Sequence, residues 1–224
     1  MELSDSLELF NALERLELLE NSPRLWWPEY GTFEVVIGAI LTQNTQWNRV
    51  QISLENLAQH NLLNLESLSQ CDNEILMELI RPSGLFKAKA QNLIRLSRTI
   101  VEDFGSFEEF ALNVDREWLL SQKGIGPETA DSILCYACGR SVMVVDSYTA
   151  RLLNAFGYEF ESYDDLQEWC ERGIRTHFEE SHLPELFAHF HGMIVEYVKR
   201  NSQGKSVGVD ACYNALNSKI KKPL

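Results

Sequence analysis

A chain of 224 residues with 45% hydrophobic content can bury one substantial core or two small interlocked ones, which excludes a largely disordered protein. A formal net charge of −13 excludes a protein that coats nucleic acid through charge alone, because that binding is driven by Lys and Arg releasing counterions. The amino-terminal stretch carries Asp5, Glu8, Glu14 and Glu17 with no basic start and no unbroken apolar run, so neither a signal peptide nor a membrane span is expected and the reading is cytoplasmic.

Taken in chain order, apolar residues recur at spacings of three and four, which predicts a mostly α-helical protein. A break at Asn21 to Gly31 holds Trp26, Trp27 and Pro28, and a helix follows through Phe33, Val36, Ile37, Ile40 and Leu41. Gln43 and Trp47 lie just beyond it. After a Pro-Gly break at Arg81 to Gly84 comes a helix through Leu93, Leu96, Ile100 and Phe104. From Leu79 to Val101 the chain carries Arg81, Lys87, Lys89, Arg95 and Arg98 and no acid, a candidate basic face on an acidic protein. Asp115 is placed to cap a helix running through Gln122, and Lys123, Gly124, Ile125 and Gly126 form a tight turn. Pro127 opens the next helix, where no amide proton is needed, and Ala130, Ile133, Leu134 and Ala137 share its inward face. Ser141 to Val145 is the only strand-like run and reads as an extended connector. Asp146 then stands at the start of a further helix, Gly157 breaks the chain again, and Phe187, Phe190, Ile194 and Val198 mark the last long helix. Asn217 to Leu224 reads as a frayed basic end.

The turn at Lys123–Gly126 joins two helices as a glycine hairpin. Glycines permit close backbone approach and the amides at a helix start form an anion site, so a DNA phosphate can be held there without basic side chains. A bare Gly-x-Gly is more often an ordinary turn between packed helices, and Asp146 taken alone is more often a helix cap. The cysteines Cys71, Cys135, Cys138, Cys170 and Cys212 are odd in number, which suits reduced thiols. Cys135-x-x-Cys138 has the spacing of a metal half-site, but with no second pair and an inward-packing helix around it, it reads as buried thiols with no metal bound.

The stretch from Lys123 to Leu153, KGIGPETADSILCYACGRSVMVVDSYTARLL, resembles the endonuclease III branch of the helix-hairpin-helix DNA glycosylases, in which hairpin, helix and short connector lead to Val-Asp before a helix. Phe33 to Thr45, FEVVIGAILTQNT, resembles that family's helix and following loop, in which a glutamine at the position of Gln43 enters the duplex. The resemblance implies an all-α fold of two lobes with a DNA-binding cleft between them. One lobe is a six-helix domain over residues 29–140 that includes the hairpin at 115–138; the other combines residues 1–28 with 141–224. It also implies Asp146 as the catalytic carboxylate and Gln43, Lys123, Gly124, Ile125 and Gly126 as DNA-binding residues.

Cleaving a base from deoxyribose builds positive charge on the sugar, which a carboxylate can stabilise while it activates water. The base must first leave the stack, so something must fill the gap and something must hold the extruded base. Trp26, Trp27, Pro28 and Trp47 are the candidate base pocket, since electron-rich indoles suit a cationic base such as N3-methyladenine; core packing is the alternative for any one of them. Family members that also cut the backbone carry a lysine just before the Thr-Ala of the second hairpin helix, and here that position is Glu128. Relatives with an iron–sulfur cluster carry four late cysteines, whereas only Cys212 follows Cys170. The expectation is therefore a monomeric, cofactor-free 3-methyladenine DNA glycosylase of base excision repair, without lyase activity, acting on double-stranded DNA with alkylated bases. Two rivals stay open: an oxidised-pyrimidine glycosylase/lyase and a non-catalytic helix-hairpin-helix module.

Overall fold

The computed structural model describes residues 3–217, so the basic end expected from Asn217 lies, beyond Asn217 itself, outside the described residues. The protein is built from helices: α1 (Ser6–Glu14), α2 (Phe33–Leu41), α3 (Trp47–Gln59), α4 (Leu65–Ser69), α5 (Asn73–Leu79), α6 (Phe86–Phe104), α7 (Phe107–Asn113), α8 (Arg116–Ser121), α9 (Pro127–Ser132), α10 (Ser147–Ala155), α11 (Tyr163–Arg175), α12 (Leu183–Asn201) and α13 (Asp210–Asn217). Among the described residues the only strands are β1 (Ser202–Gln203) and β2 (Ser206–Val207), an antiparallel pair turning at Gly204 that the apolar pattern does not foretell. Among the same residues no helix is long and apolar enough to cross a membrane.

The chain divides into two compact units, Glu29–Arg140 and Met1–Pro28 together with Ser141–Leu224. The first holds eight α-helices among the described residues, α2 to α9, where the resemblance implies six. The count includes three short segments, each started by its own cap: Asn64 accepts from Ser67 N, Asp72 from Glu74 N and Ile75 N, and Ser106 from Glu109 N. At its centre, α2 is apolar on nearly every face and all but Glu34 of it is buried, so packing overrides the low helix propensity of Val35, Val36, Ile37 and Ile40.

In the hairpin, α8 is capped by Asp115, whose Oδ1 accepts from Trp118 N at 2.7 Å. The arm beyond the turn is α-helical only to Ser132; a π-helical turn, Ile133–Ala137, follows, with Cys138 N donating to Ile133 O. The carbonyl of Tyr136, in the last turn, accepts from Gly31 N at 2.8 Å. Ala130, Ile133, Leu134 and Ala137 are all buried, as the periodicity requires. Cys138 caps the π turn and is half-buried.

In the second unit, Leu9 and Phe10 of α1, Leu152 and Leu153 of α10, Ile174 of α11, Phe187, Phe190 and Ile194 of α12 and Cys212 of α13 close one apolar core. Ser141 to Val145 runs as an extended connector, and α11 satisfies its backbone: Met143 N donates to Glu171 Oε1 at 2.8 Å, and Gln167 Nε2 donates to Met143 O at 2.6 Å. Buried Met143, Val144 and Val145 thereby fix the start of α10.

Candidate active site

Asp146 is the N-cap of α10, with extended backbone, and forms a capping box with Thr149. Its Oδ1 accepts from Thr149 N at 2.9 Å and from Thr149 Oγ1 at 3.1 Å. Its Oδ2 faces His191 Nε2 of α12 at 3.4 Å, and the Asp146 side chain is only 12% exposed. Burial works to raise the pKa of this carboxyl, but the hydrogen bond and charge of His191 and the two bonds from Thr149 outweigh it and hold the group below its ordinary value. Cap and candidate catalyst are thus one residue: one oxygen fastens the helix, and the other faces a histidine that sequence reading missed. His191 lies far along the chain from Asp146, on the buried face of α12, where nothing local distinguishes it from a core residue.

Trp26 packs against that histidine, edge to face, with centroids 5.1 Å apart at 80°. Its backbone is left-handed (φ 66°), its Nε1 donates to Glu196 Oε1 at 3.3 Å, and the Lys199 ammonium stands 5.8 Å from its ring centroid. The close seat of the indole on α12 depends on Gly192, where a Cβ would fall 2.5 Å from Trp26 Cγ and 2.6 Å from Trp26 Cβ. Trp27 meets Trp26 edge to face at 6.0 Å and is buried, while Pro28 is half-buried. Asp146, His191, Trp26 and Trp27 therefore form one cluster within one unit. Trp47, the first residue of α3 and half-buried, belongs to the other unit, as do Gln43 and the hairpin.

Gly124 has φ 87°, and a Cβ there would run into the Asn92 amide of α6, so the turn needs glycine for both conformation and space. Arg95 of α6 donates to Lys123 O at 3.0 Å. Lys123 is exposed, whereas the Ile125 side chain is buried and its N–H is used within the turn on Gln122 O. The basic stretch is largely spent on such ties: Arg81 pairs with Glu78, Arg98 donates to Ser69 O at 2.8 Å, and Lys89 is buried, leaving Lys87 as an exposed cation of that set.

Gln43 is half-buried, and its Nε2 donates to Gly124 O and to Thr129 Oγ1, each at 3.0 Å. It binds the α2–α3 loop to the hairpin. The side chain offered at the loop apex is the next one, Asn44, exposed and left-handed at φ 53°. A second exposed side chain on left-handed backbone is Leu85, at φ 47° and 66% exposed, in the N-cap position of α6 without a side-chain capping bond. Sequence reading missed both. A leucine in a capping position was the available signal, since short polar residues hold that place when only the helix is served. Held strain on an exposed apolar residue is a mark of function.

Glu128 is exposed in the first turn of α9. Burial pushes the Cys138 thiol up to about 12, against the pull of Arg140, and the Cys212 thiol up to about 11. Among the described residues no group of three or more His, Cys, Asp or Glu side chains is arranged to hold a metal ion.

Residues 37–175 match the family described as "HhH-GPD superfamily base excision DNA repair protein". The chain is similar to the "Putative DNA repair glycosylase MJ1434" of Methanocaldococcus jannaschii, 39% identical over 189 residues that cover 81% of this chain and 83% of that one. It is similar also to endonuclease III of Thermotoga maritima, 26% identical over 88% of this chain and 86% of that one. Among solved structures it resembles the crystal structure of the H. pylori 3-methyladenine DNA glycosylase (MagIII) bound to 1,N6-ethenoadenine. That likeness has a TM-score of 0.84 at 45% identity and covers 89% of this chain and 99% of that one.

Proposed function

The chain belongs to the HhH-GPD superfamily of base excision DNA repair proteins, and from that premise we propose that it is a monofunctional glycosylase, acting as a monomer, that flips alkylated purines, chiefly N3-methyladenine, from duplex DNA and hydrolyses their glycosidic bond. The observation that carries this reading is the Asp146–His191–Trp26 cluster, an ionised, recessed carboxylate one contact away from an indole. A carboxylate held below its ordinary pKa is a persistent charge and a poor proton acceptor. Its main task is then to stabilise positive charge growing on the sugar, with activation of water second. Trp26 offers the electron-rich surface that favours a cationic purine over a neutral base, and the Lys199 ammonium over its ring is a cation already drawn to it.

The hairpin turn and the Gln43 tether serve backbone grip, with Lys123 beside the phosphate. Asn44 and Leu85 are the side chains that fill the gap left by the extruded base, one polar and one apolar. Glu128 at the lyase position cannot form a Schiff base, so the product is an intact abasic site. The late chain does not fit an iron–sulfur cluster, because such a cluster takes four cysteine ligands and only Cys212 follows Cys170.

Incubation with methylated duplex DNA is expected to release N3-methyladenine while the strand stays unbroken, and borohydride is expected to trap no protein–DNA adduct. Release of oxidised pyrimidines with a trapped adduct would instead establish the glycosylase/lyase reading.

The pocket is tested without removing an indole by Gly192→Ala. Alanine is the better helix former by about 1 kcal/mol, so α12 should not weaken, yet the new methyl must displace Trp26 from His191. Excision of N3-methyladenine is expected to fall by about tenfold, matching roughly 1.4 kcal/mol of lost contact, with abasic-site binding little changed. Wild-type excision by a folded Gly192→Ala protein would remove Trp26 from the pocket.

A further inference from the structure

Two of the exposed non-glycine side chains on left-handed backbone, Asn44 and Leu85, sit on separate loops, one between α2 and α3 and one before α6. A single buried ammonium joins those loops. Lys89, in the first turns of α6, is buried, and its Nζ donates to Leu41 O at 2.7 Å, to Thr45 Oγ1 at 2.8 Å and to Ser83 O at 2.7 Å. Leu41 O lies at the carboxyl end of α2, where a cation is favoured by the helix dipole. Thr45 Oγ1, besides accepting from Lys89, donates to Ser83 O, so the loops are also linked directly. All three acceptors are uncharged oxygens. Burial lowers the Lys89 pKa to about 8, so the ammonium is held there at a cost that an apolar side chain would not incur.

We infer that Lys89 is a positioning residue that clamps the Asn44 loop and the Leu85 loop at one separation, so that both side chains meet the duplex as a preset pair. Left-handed non-glycine residues persist only where their surroundings over-determine them. Here the over-determination is visible: Asn44 is followed directly by Thr45, and Leu85 comes two residues after Ser83, both bonded to the same ammonium. A preset pair reaches the gap without ordering two loops at the moment of binding, and pre-organisation of this kind raises affinity for the distorted duplex specifically.

The inference rests on the reading of Asn44 and Leu85 as gap-filling side chains, and the test separates the two. Affinity is measured for a duplex with a tetrahydrofuran abasic site and for the same duplex undamaged, and the ratio of the two is followed. Leu85→Ala is expected to lower the ratio by about tenfold by removing a wedge. Thr45→Val, which removes one hydroxyl, and Lys89→Met are expected to lower it similarly while undamaged-duplex affinity and cooperative melting persist. Lys89→Arg, which keeps the cation, should restore part of it. Adding Thr45→Val to the double variant Asn44→Ala/Leu85→Ala should lower the ratio no further, because a misplaced pair and a missing pair cost the same contacts. A folded Thr45→Val protein with a wild-type ratio, beside a Leu85→Ala protein that has lost it, overturns the clamp alone. A wild-type ratio in Leu85→Ala overturns the wedge reading and the clamp with it. If Lys89→Met does not fold, Thr45→Val decides.

Discussion

Asp146→Asn is expected to abolish most base release, by at least about 10²- to 10³-fold, the range typical for loss of one well-placed electrostatic group in a recessed site. The substitution is unusually clean. Asn is as good an N-cap as Asp, and its carbonyl oxygen can still accept from Thr149 N and Thr149 Oγ1, so α10 should keep its start. What disappears is the negative charge facing His191, which on the proposed reading acts on charge that develops in the transition state. Binding to an abasic-site duplex should therefore stay within a fewfold of wild type. Activity within about threefold of the parent would end the assignment of Asp146.

The pH dependence follows from the direction of the shift. The fold favours the ionised carboxylate, so Asp146 contributes stability that is fully present above its unfolded pKa and is lost as pH falls through the lower folded one. The acid limb of excision assigned to Asp146 should lie below the ordinary aspartate value of 3.8, and it should vanish in the Asn variant.

Much of this site was legible because its parts are close in the chain. The hairpin, the second arm, the connector and Asp146 lie between Lys123 and Asp146, so capping and turn chemistry alone align them. His191 was not legible, because its partner is made by tertiary packing of α12 beside α10 and a lone histidine on a buried helix face carries no local mark. Lys89 left a trace that was not followed: it lies on the same stripe as Leu93, Leu96 and Ile100, a charge where the period demands an apolar side chain. The π-helical turn had no signature in the sequence, where Ile133 to Ala137 reads as a continuation of α9. Gln43 was read by position, whereas its direction is set by the hairpin acceptors Gly124 O and Thr129 Oγ1.

Arg116→Ala is expected to be strongly destabilising, at about 3–5 kcal/mol, the cost typical of breaking a buried ion pair by removing one of its members. Asp131 in α9 is fully buried, and Arg116 in α8 meets it through two bonds, Nε to Oδ1 at 2.8 Å and NH2 to Oδ2 at 3.2 Å. The pair joins the two arms on either side of the turn, so its loss reaches function through geometry: the turn keeps Gly124 and Gly126 but not the angle between its arms. Urea melting should show the fall in stability, and duplex affinity should drop in conditions where the variant is still folded. The discriminating comparison is Arg116→Met with Asp131→Leu, which removes both charges and fills their space. Replacing a buried ion pair with apolar groups of similar volume is often neutral or stabilising, so the double variant should regain most of the stability lost by Arg116→Ala. If it also regains DNA binding, the pair acts only by holding the arms together. If stability returns without DNA binding, the guanidinium, about one third of whose side-chain surface is exposed at 32%, takes part in the phosphate grip itself.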